Sequence, residues 1–420
     1  MEKPKKIRDF LGPENDDIFV GNYFTLAICW PGTVVNLSNK PNKRGNMNKQ
    51  WYATATIMGT IVGAGILGIP YVIAKSGFLV GLAHIILIAL FMMILSLYLG
   101  EVILRTHGKH QLTGYAEKYL GRWGKRIMAF SMIFGIYGAL IAYLIGEGEA
   151  LSAIFGGQPL FYTIIFFLVA SSFVYIGVKS VSKSELILSF IKIAILLALC
   201  ALLIPSVKIE NLTTMSKNIF NIFYPFGVIL FAFSGIPAIV EAREVLAKNE
   251  NVFKKSIIYA YLIPIIIYII FALVVVGSTG LATTELATVG LSLISRKILI
   301  FANLFAILTL ATPFLTLGLA LQEMYEYDYK LKKPLAFTLS CILPFALFLI
   351  GIKSFVAVMG IAGALGPGLA AILIVLMFWR AKKKSERIPE YTIKKNVLLG
   401  LLLMLIFLLG AAYEIYVVLF

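Results

Sequence analysis

Residues 56–70 read TIMGTIVGAGILGIP, an apolar stretch that holds four glycines and ends in proline. Glycine costs up to ~1 kcal/mol relative to alanine inside a helix, and proline removes a backbone donor. Gly59 and Gly63 have the four-residue spacing of close helix packing, whereas Gly65 and Gly68 add glycines that this spacing does not need. The stretch therefore predicts a membrane helix that is interrupted near its middle.

The rest of the chain has the composition of an all-α polytopic membrane protein. Its 420 residues are 60% hydrophobic and only 14% charged, and the mean hydropathy is +0.91. Soluble domains average about a quarter charged residues. Apolar runs such as 257–276 match the roughly 20 residues that a helix needs to cross the hydrocarbon layer, without the alternation of barrel strands. A soluble protein is therefore excluded.

Eleven transmembrane helices are predicted from these runs. The connections between them are short, so residues 51–420 are expected to form one transmembrane transporter domain behind an N-terminal tail of residues 1–50. The predicted spans are 51–73, 78–104, 126–154, 159–178, 184–204, 220–246, 256–277, 297–322, 334–351, 354–379 and 396–418.

The positive charges orient these spans. If the N-terminus is cytoplasmic, most of the 37 lysines and arginines fall in cytoplasmic segments, including the dense group from Arg380 to Lys395. The positive-inside rule then predicts a multi-pass protein of the cell membrane with its C-terminus outside. Loop charges of this kind account for the net charge of +16 with membrane lipid as the surrounding partner and without nucleic acid.

A second interruption lies in the sixth predicted span, where residues 231–237 read FAFSGIP. The two interruptions are five spans apart, and their helices run in opposite directions. Paired breaks in two inverted halves indicate a transporter site at the membrane midplane. Free N–H groups at a half-helix N-terminus suit a carboxylate, and free carbonyls suit an ammonium group. The pair therefore predicts a site for a zwitterionic α-amino acid.

The two motifs carry a family resemblance. Residues 59–70, GTIVGAGILGIP, resemble the first helix of the amino acid–polyamine–organocation superfamily, and residues 231–235, FAFSG, resemble its sixth helix. The closest groups are the amino acid/auxin permease family and its aromatic amino acid permease relatives. The resemblance implies a leucine-transporter-like five-plus-five inverted repeat plus one extra helix, and a secondary active amino acid transporter.

The resemblance also implies the residues of the substrate site. Backbone N–H groups would bind the carboxylate, and the residues implied are Gly63, Ala64 and Gly65. Carbonyl oxygens would bind the amino group, and the residues implied are Ile61, Phe231 and Ser234. Phe231 or Phe233 would act as an aromatic lid. Tyr137 and Tyr143 are candidates for the side-chain pocket, although aromatic residues in a membrane helix equally serve packing.

Lys192 is the candidate coupling residue, because it lies roughly 13 Å along the fifth span. A lysine at this depth costs about 2.5–3.5 kcal/mol on insertion scales and needs partners. Some proton-driven relatives hold such a lysine where sodium-driven relatives hold sodium, which implies contacts with carbonyls near Gly59 and Val62. Thr309 and Thr312 are candidate ligands if sodium is the coupling ion instead. A snorkelling or structurally paired lysine is the alternative.

Charged residues near the ends of the spans have two interpretations. Glu101, Glu241 and Arg243 are candidates for an inner gate built from ion pairs such as Glu101 with Arg243, or they are interfacial charges without that role. Glu147 and Glu149 follow toward the outer end of the third span. They are expected to be solvated acids near the interface; the alternative is that they line the entry vestibule, accept protons or favour cationic substrates.

Other function classes find less support in the sequence. No catalytic motif, metal cluster or cofactor-binding motif is recognisable, so we expect neither an enzyme nor a bound cofactor. A metal-ion transporter would be expected to place carboxylate and asparagine in the first break. The prediction is proton-coupled symport of neutral amino acids by alternating access, with a lean toward bulky apolar or aromatic ones. An exchanger, a sodium-coupled carrier and a non-transporting amino-acid sensor remain the alternatives.

Overall fold

A computed structural model describes residues 43–177, 180–213, 218–246, 249–327 and 329–419, and the regular structure in these ranges is helical. Residues 1–42, most of the predicted N-terminal tail, lie outside the described residues. The first helix begins at Lys43, well before the predicted start of the domain at residue 51.

The helices form two successive sets of five segments, and each set begins with a broken one. The first set comprises α1 (Lys43–Ile61) with α2 (Ile69–Ser76), α3 (Phe78–Leu104), α4 (Leu112–Phe155), α5 (Pro159–Ile176) and α6 (Ser180–Leu203). A short helix, α7 (Glu210–Thr213), leads to the second set. That set comprises α8 (Phe226–Ala232) with α9 (Ile236–Leu246), α10 (Phe253–Thr279), α11 (Arg296–Tyr327), α12 (Lys333–Phe337) with α13 (Leu343–Leu349), and α14 (Phe355–Ala381); α15 (Val397–Leu419) follows as the extra helix.

Helical segments lie at each of the eleven predicted spans. Within the described ranges, eight helices are long and apolar enough to cross a membrane, and the bent pair at Lys49–Ile61 and Ala64–Ser76 adds a ninth. The fifth and ninth spans coincide with shorter apolar helical stretches, Phe190–Ser206 and Lys333–Leu349. The all-helical membrane architecture is confirmed, whereas the number of eleven stays a prediction.

The third predicted span differs from the helix observed there. Helical structure begins at Leu112 rather than at residue 126, and it is interrupted at Gly121, which has φ 78° and ψ −169°. This conformation is accessible to glycine at little cost. A short helical segment therefore precedes the span on the side of the predicted cytoplasmic loops.

Small residues let the central helices pack with their backbones close together. A Cβ built on Gly135 of α4 would lie 3.5 Å from the Cα of Gly366 in α14. A Cβ built on Gly363 of α14 would overlap the carbonyl oxygen of Gly227 in α8. Because backbone atoms form this last contact, α14 holds the first half of the broken α8–α9 pair rigidly in place.

The extra helix α15 lies at the edge of the bundle. Gly400 faces Trp379 of α14, and Gly410 faces Phe226 of α8, so that a side chain at either glycine would collide with an aromatic ring. Large apolar residues such as Leu398 and Leu409 are exposed on this helix. An apolar exposed face of this kind is what a lipid environment requires.

We predict that Gly363→Ala destabilises the protein by about 1–3 kcal/mol, the usual cost of overpacking. The added methyl group meets the Gly227 carbonyl oxygen, which has no rotamer by which to move away. The matched control is Gly368→Ala in the same helix, because its Cβ meets nothing nearer than 3.7 Å. Thermal unfolding in detergent should show a lower melting temperature for Gly363→Ala alone; equal melting temperatures for the two variants would refute the close contact.

Candidate functional site

The first break separates α1 from α2 around Gly63. Helix α1 ends at Ile61, Gly63 is extended with φ −122° and ψ −154°, and a single 3₁₀ turn covers Ala64–Leu67. The Ile66 N–H donates to the Gly63 carbonyl over 3.3 Å, and it is the first N–H of that turn with a backbone acceptor. The N–H groups of Ala64 and Gly65 therefore lie at an uncapped helical N-terminus.

The sixth-span break separates α8 from α9 around Ser234. Helix α8 ends at Ala232, and two tight turns follow, in which Ser234 N–H donates to the Phe231 carbonyl (3.0 Å) and Gly235 N–H donates to the Phe233 carbonyl (2.9 Å). Helix α9 then begins at Ile236, with Pro237 in its first turn. Proline is tolerated there, because the N–H that it lacks would have no helical partner.

The two breaks touch each other. A Cβ built on Gly65 would lie 2.5 Å from the Cα of Ala232, so glycine is required for this approach. The hydroxyl of Tyr268 in α10 lies 2.6 Å from the Ile61 carbonyl oxygen and 3.1 Å from that of Ala232. One buried hydroxyl therefore joins the C-terminal ends of α1 and α8.

A cavity of about 190 Å³ opens beside this contact. It has room for on the order of a dozen water molecules, which is enough for an amino acid. The breaks form one wall, and α4, α11 and α14 form the others; these helices contribute Met132, Ile136, Ala139, Leu317, Ala320 and Ala370. Glu241 is the one charged residue among the described residues that line it.

The lining residues indicate which end of the cavity is open. Leu112, at the start of α4, and Glu241, toward the end of α9, both belong to the wall. Residues on the other side of the first break, such as Ile69 and Val72 of α2, are fully buried. The cavity therefore extends from the breaks toward the predicted cytoplasmic end of the bundle and is closed toward the outer end.

Most of the residues predicted to form the substrate site lie together on this cavity. The lining includes Ile61, Gly63, Ala64, Gly65, Phe231, Ser234 and Tyr143. The Ile61 carbonyl oxygen already faces two donors, the Gly63 N–H at 2.8 Å and the Tyr268 hydroxyl. The geometry consequently favours Phe231 and Ser234 over Ile61 as acceptors for a substrate amino group.

Two aromatic residues predicted to line the site are directed elsewhere. Phe233 is fully buried and packs against Tyr268, with ring centroids 4.9 Å apart. The Tyr137 hydroxyl donates to the Leu339 carbonyl over 2.7 Å. Neither side chain belongs to the cavity wall, because helix packing directs each toward another helix. Phe233 and Tyr137 lie outside the cavity wall in this conformation, so their pocket role stays a prediction, and Phe231 is the candidate lid on the wall.

Lys192 is buried, with 5% of its surface exposed, and its ammonium group donates to the Thr312 hydroxyl of α11 over 3.2 Å. Thr309, one turn earlier, is also buried, and its hydroxyl finds no partner within the described ranges. The lysine and the candidate sodium ligands thus occupy one location. The predicted contacts with carbonyls near Gly59 and Val62 stay a prediction.

The predicted gate pair is wrong. The Glu101 carboxylate pairs with Arg105 at 2.8 Å and with Lys382 at 2.6 Å. Arg243 pairs with Glu250 at 2.7 Å. Arg105 lies four residues after Glu101 in the sequence, whereas Lys382 follows α14 and Glu250 follows α9. Both pairs lie at the predicted cytoplasmic end, so their role there stays a prediction.

The segment after α14 is hydrogen-bonded to other residues at the predicted cytoplasmic end of the bundle. The Ile393 N–H donates to Glu101 over 2.6 Å. Glu386 accepts hydrogen bonds from Lys118 at 2.7 Å and from the His107 N–H at 2.8 Å. The hydrogen bond from Lys118, followed by that from His107, holds the pKa of the Glu386 carboxyl below its usual range. These contacts tie the segment after α14 to the loop after α3 and to the ends of α3 and α4 at the predicted cytoplasmic side.

Sequence patterns missed two residues with pronounced environments. Tyr268 lies within the charge-free run 257–276, which contains other tyrosines, so nothing in the sequence distinguishes it as a residue of the site. Glu147 was expected to be solvated, but it is fully buried. Neither of its carboxylate oxygens has a hydrogen-bond partner in the part of the chain that the structure describes.

Solved structures of other proteins share this architecture. MhsT, solved in complex with L-phenylalanine, superposes with a TM-score of 0.59 at 17% identity, covering 87% of this chain and 97% of MhsT. A manganese transporter of Eremococcus coleocola gives 0.61 at 12% identity, covering 91% of this chain and 88% of its own. These likenesses confirm the predicted leucine-transporter-like fold.

Curated relatives match over nearly their whole length. Tyrosine-specific transport system 1 of Haemophilus influenzae is 28% identical over 393 residues, which is 86% of this chain and 95% of the relative. Glutamine transporter 2 of Aliivibrio fischeri is 27% identical over 362 residues, which is 82% of this chain and 92% of the relative.

One family description covers most of the chain. Residues 46–415, which include both breaks, Tyr268, Lys192 and Glu147, match the tryptophan/tyrosine permease family. The chain belongs to the tryptophan/tyrosine permease family.

Proposed function

We propose that the protein carries a neutral amino acid with a bulky apolar or aromatic side chain across the cell membrane, by proton-coupled symport and alternating access. The observation that carries this proposal is the meeting of the two helix breaks at one cavity. Because the chain belongs to a permease family, it is a membrane transporter of amino acids and not an enzyme.

The first break provides the pole for the substrate carboxylate. The N–H groups of Ala64 and Gly65 precede the first hydrogen-bonded donor of the 3₁₀ turn, and both residues line the cavity. Unpaired N–H groups at a helical N-terminus attract anions through their partial positive charge. We place the α-carboxylate there.

The sixth-span break provides the pole for the amino group. The carbonyls at the end of α8 lack helical donors, and Phe231 and Ser234 line the cavity. The Phe231 oxygen accepts a hydrogen bond from Ser234 N–H, and the Phe233 N–H is directed to it and to the Ile229 oxygen. We place the α-ammonium group between these two carbonyls, with the Phe231 ring beside the substrate.

The side-chain chamber between α4, α11 and α14 is apolar. Its wall consists mainly of methyl-bearing residues and glycine. The Ser131 hydroxyl, which also lines it, donates a hydrogen bond to the Gly366 carbonyl over 2.6 Å. An unpaired charge in such a chamber would be strongly disfavoured. The names of the relatives, which concern tyrosine and glutamine, and the phenylalanine bound to MhsT agree with a neutral substrate.

Lys192 is our candidate for the proton-coupling group. Its ammonium group is buried and contacts Thr312 of α11, a helix that also lines the cavity through Leu317 and Ala320. An intramembrane lysine is expected to be functional by default. Loss of its proton would remove the charge that binds α6 to α11, which links proton release to the packing of these helices.

The manganese transporter among the structural neighbours shows that this fold alone does not select amino acids. Within the described ranges, no group of three or more histidine, cysteine, aspartate or glutamate side chains is placed to hold a metal ion. A mainly apolar cavity with two backbone poles and Glu241 as its one charged lining residue among those described suits a zwitterion better than a hard cation. The cytoplasmic N-terminus and the outer C-terminus remain part of the proposal, supported by the loop charges.

We expect proteoliposomes containing the protein to exchange labelled tyrosine, phenylalanine or another neutral amino acid in counterflow, but neither arginine nor glutamate. An inward proton gradient should drive accumulation. Lys192→Met should abolish accumulation and retain counterflow, because the binding poles are backbone groups.

The control for that variant is Lys297→Met, which removes an exposed lysine at the start of α11 and should behave as wild type. Sodium-driven uptake that is indifferent to Lys192→Met would contradict the proton mechanism and keep the carrier. Absence of counterflow for every amino acid, in protein that binds one, would favour the sensor alternative.

We expect Tyr268→Phe to lower counterflow about tenfold or more. The change leaves buried carbonyls at the ends of α1 and α8 short of a donor, which costs about 1–3 kcal/mol. Tyr137→Phe is the matched control, since it also removes a tyrosine–carbonyl bond, to Leu339, away from the cavity. Equal losses in both variants would mean that joining the breaks is unimportant.

A further inference from the structure

Glu147 of α4 stands apart from the other acidic residues of the protein. It is 0% exposed, and both of its carboxylate oxygens are without a hydrogen-bond partner among the described residues. Glu101, which is equally buried, contacts Arg105 and Lys382. Glu101 therefore has two cationic partners, whereas Glu147 has no hydrogen-bond partner among the described residues.

The two glycines that flank Glu147 pack tightly against three other helices. A Cβ on Gly146 would contact Leu310 of α11 and Phe355 of α14, and a Cβ on Gly148 would contact Thr163 of α5. The Thr163 hydroxyl is directed to the Leu144 carbonyl. A carboxylate enclosed in this way carries a large desolvation cost, and the group avoids that cost by binding a proton.

Charged groups on the packed elements lie around the outer end of α4 rather than against Glu147. Glu149 is on α4 itself and is partly exposed. Glu285 accepts hydrogen bonds from the Ser354 hydroxyl and the Val356 N–H ahead of and within α14. Arg296 of α11 donates to the carbonyls of Ala153 and Ile154.

The remaining charges at this end are few. Lys353 precedes α14 and is exposed, and α5 has no charged residue in its sequence. No cation on these elements is therefore assigned to Glu147.

Glu147 continues the face of α4 that lines the cavity. Ser131, Gly135, Ala139 and Tyr143 recur at four-residue intervals along the wall, and Glu147 is the next position in that series. It lies about 6 Å beyond Tyr143 along the helix axis, toward the outer end, where the cavity is closed. An opening of the outer end would extend the cavity along this face to Glu147.

We propose that Glu147 is a proton-binding site loaded from the outer side, and that the outer end of the transport path closes only when its carboxyl group is protonated. The carboxylate takes one proton from outer water and becomes the neutral acid that the closed conformation buries. The same proton returns to water when the residue is next exposed. This proposal rests on alternating access, the proposed function, and adds a proton site distinct from Lys192.

The test measures counterflow against the pH of the outer solution for wild type, Glu147→Gln and Glu149→Gln. We expect wild-type rates to fall as that pH rises, by about tenfold per unit above the apparent pKa of a single group. Glu147→Gln, a permanently neutral isostere, should vary less than about twofold over the same range. Glu149→Gln should retain the wild-type dependence, because its side chain is partly exposed.

A second variant, Glu147→Met, removes the polar group at similar length, and it too should transport independently of outer pH if the neutral form permits closure. Either variant keeping the wild-type pH dependence would overturn the proposal, as would a pH-independent wild type.

Infrared spectra separate this proposal from the proposed function. The wild-type protein at neutral pH should show a carbonyl stretch of a protonated carboxylic acid that Glu147→Gln lacks. If that band is present but no amino acid shows counterflow, the proposed transport function is overturned and the proton site stands. Counterflow present with no such band would overturn the proton site and keep transport.

Discussion

The buried hydroxyl of Tyr268 holds together the parts on which the site depends. It lies between the carbonyls that end α1 and α8, at the place where Gly65 approaches Ala232 too closely for any side chain. Half-helices that end inside a membrane leave polar backbone groups that water cannot reach, and each needs a partner. The hydroxyl shares its one hydrogen between the Ile61 and Ala232 carbonyls, and other N–H and carbonyl groups of the breaks are left for a substrate.

Local composition was sufficient to predict the two breaks, because glycine and proline act on the backbone where they stand. The motif 59–70 and the motif 231–237 both break as predicted, and most of the implied site residues meet at one cavity. The glycine spacing was interpreted less well: close approach requires Gly65, rather than the Gly59 and Gly63 whose spacing suggested packing. The fold followed from the order of the spans and from the family resemblance.

Side-chain partners could not be predicted in the same way, because they depend on which helices become neighbours. Glu101 and Arg243 lie at the same end of the bundle, yet each pairs with a loop residue that the sequence does not align with it. Phe233 and Tyr137 lie at suitable positions along the chain for a pocket, but their side chains are directed away from the cavity, toward Tyr268 and the Leu339 carbonyl. Glu147 looked solvated because its depth was judged from one helix, whereas α5, α11 and α14 pack against the adjacent Gly146 and Gly148 and Glu147 itself is fully buried.

The central claim is that backbone groups of the two breaks bind the two charged poles of an amino acid. It is tested most directly by inhibition constants in counterflow for the preferred substrate, for its amine without the carboxylate, and for its acid without the amino group. Each missing pole removes charge-assisted hydrogen bonds worth about 1.5–3 kcal/mol, so both analogues should bind about 10- to 150-fold more weakly. An analogue that lacks one pole and inhibits as well as the complete amino acid would contradict the assignment of that break.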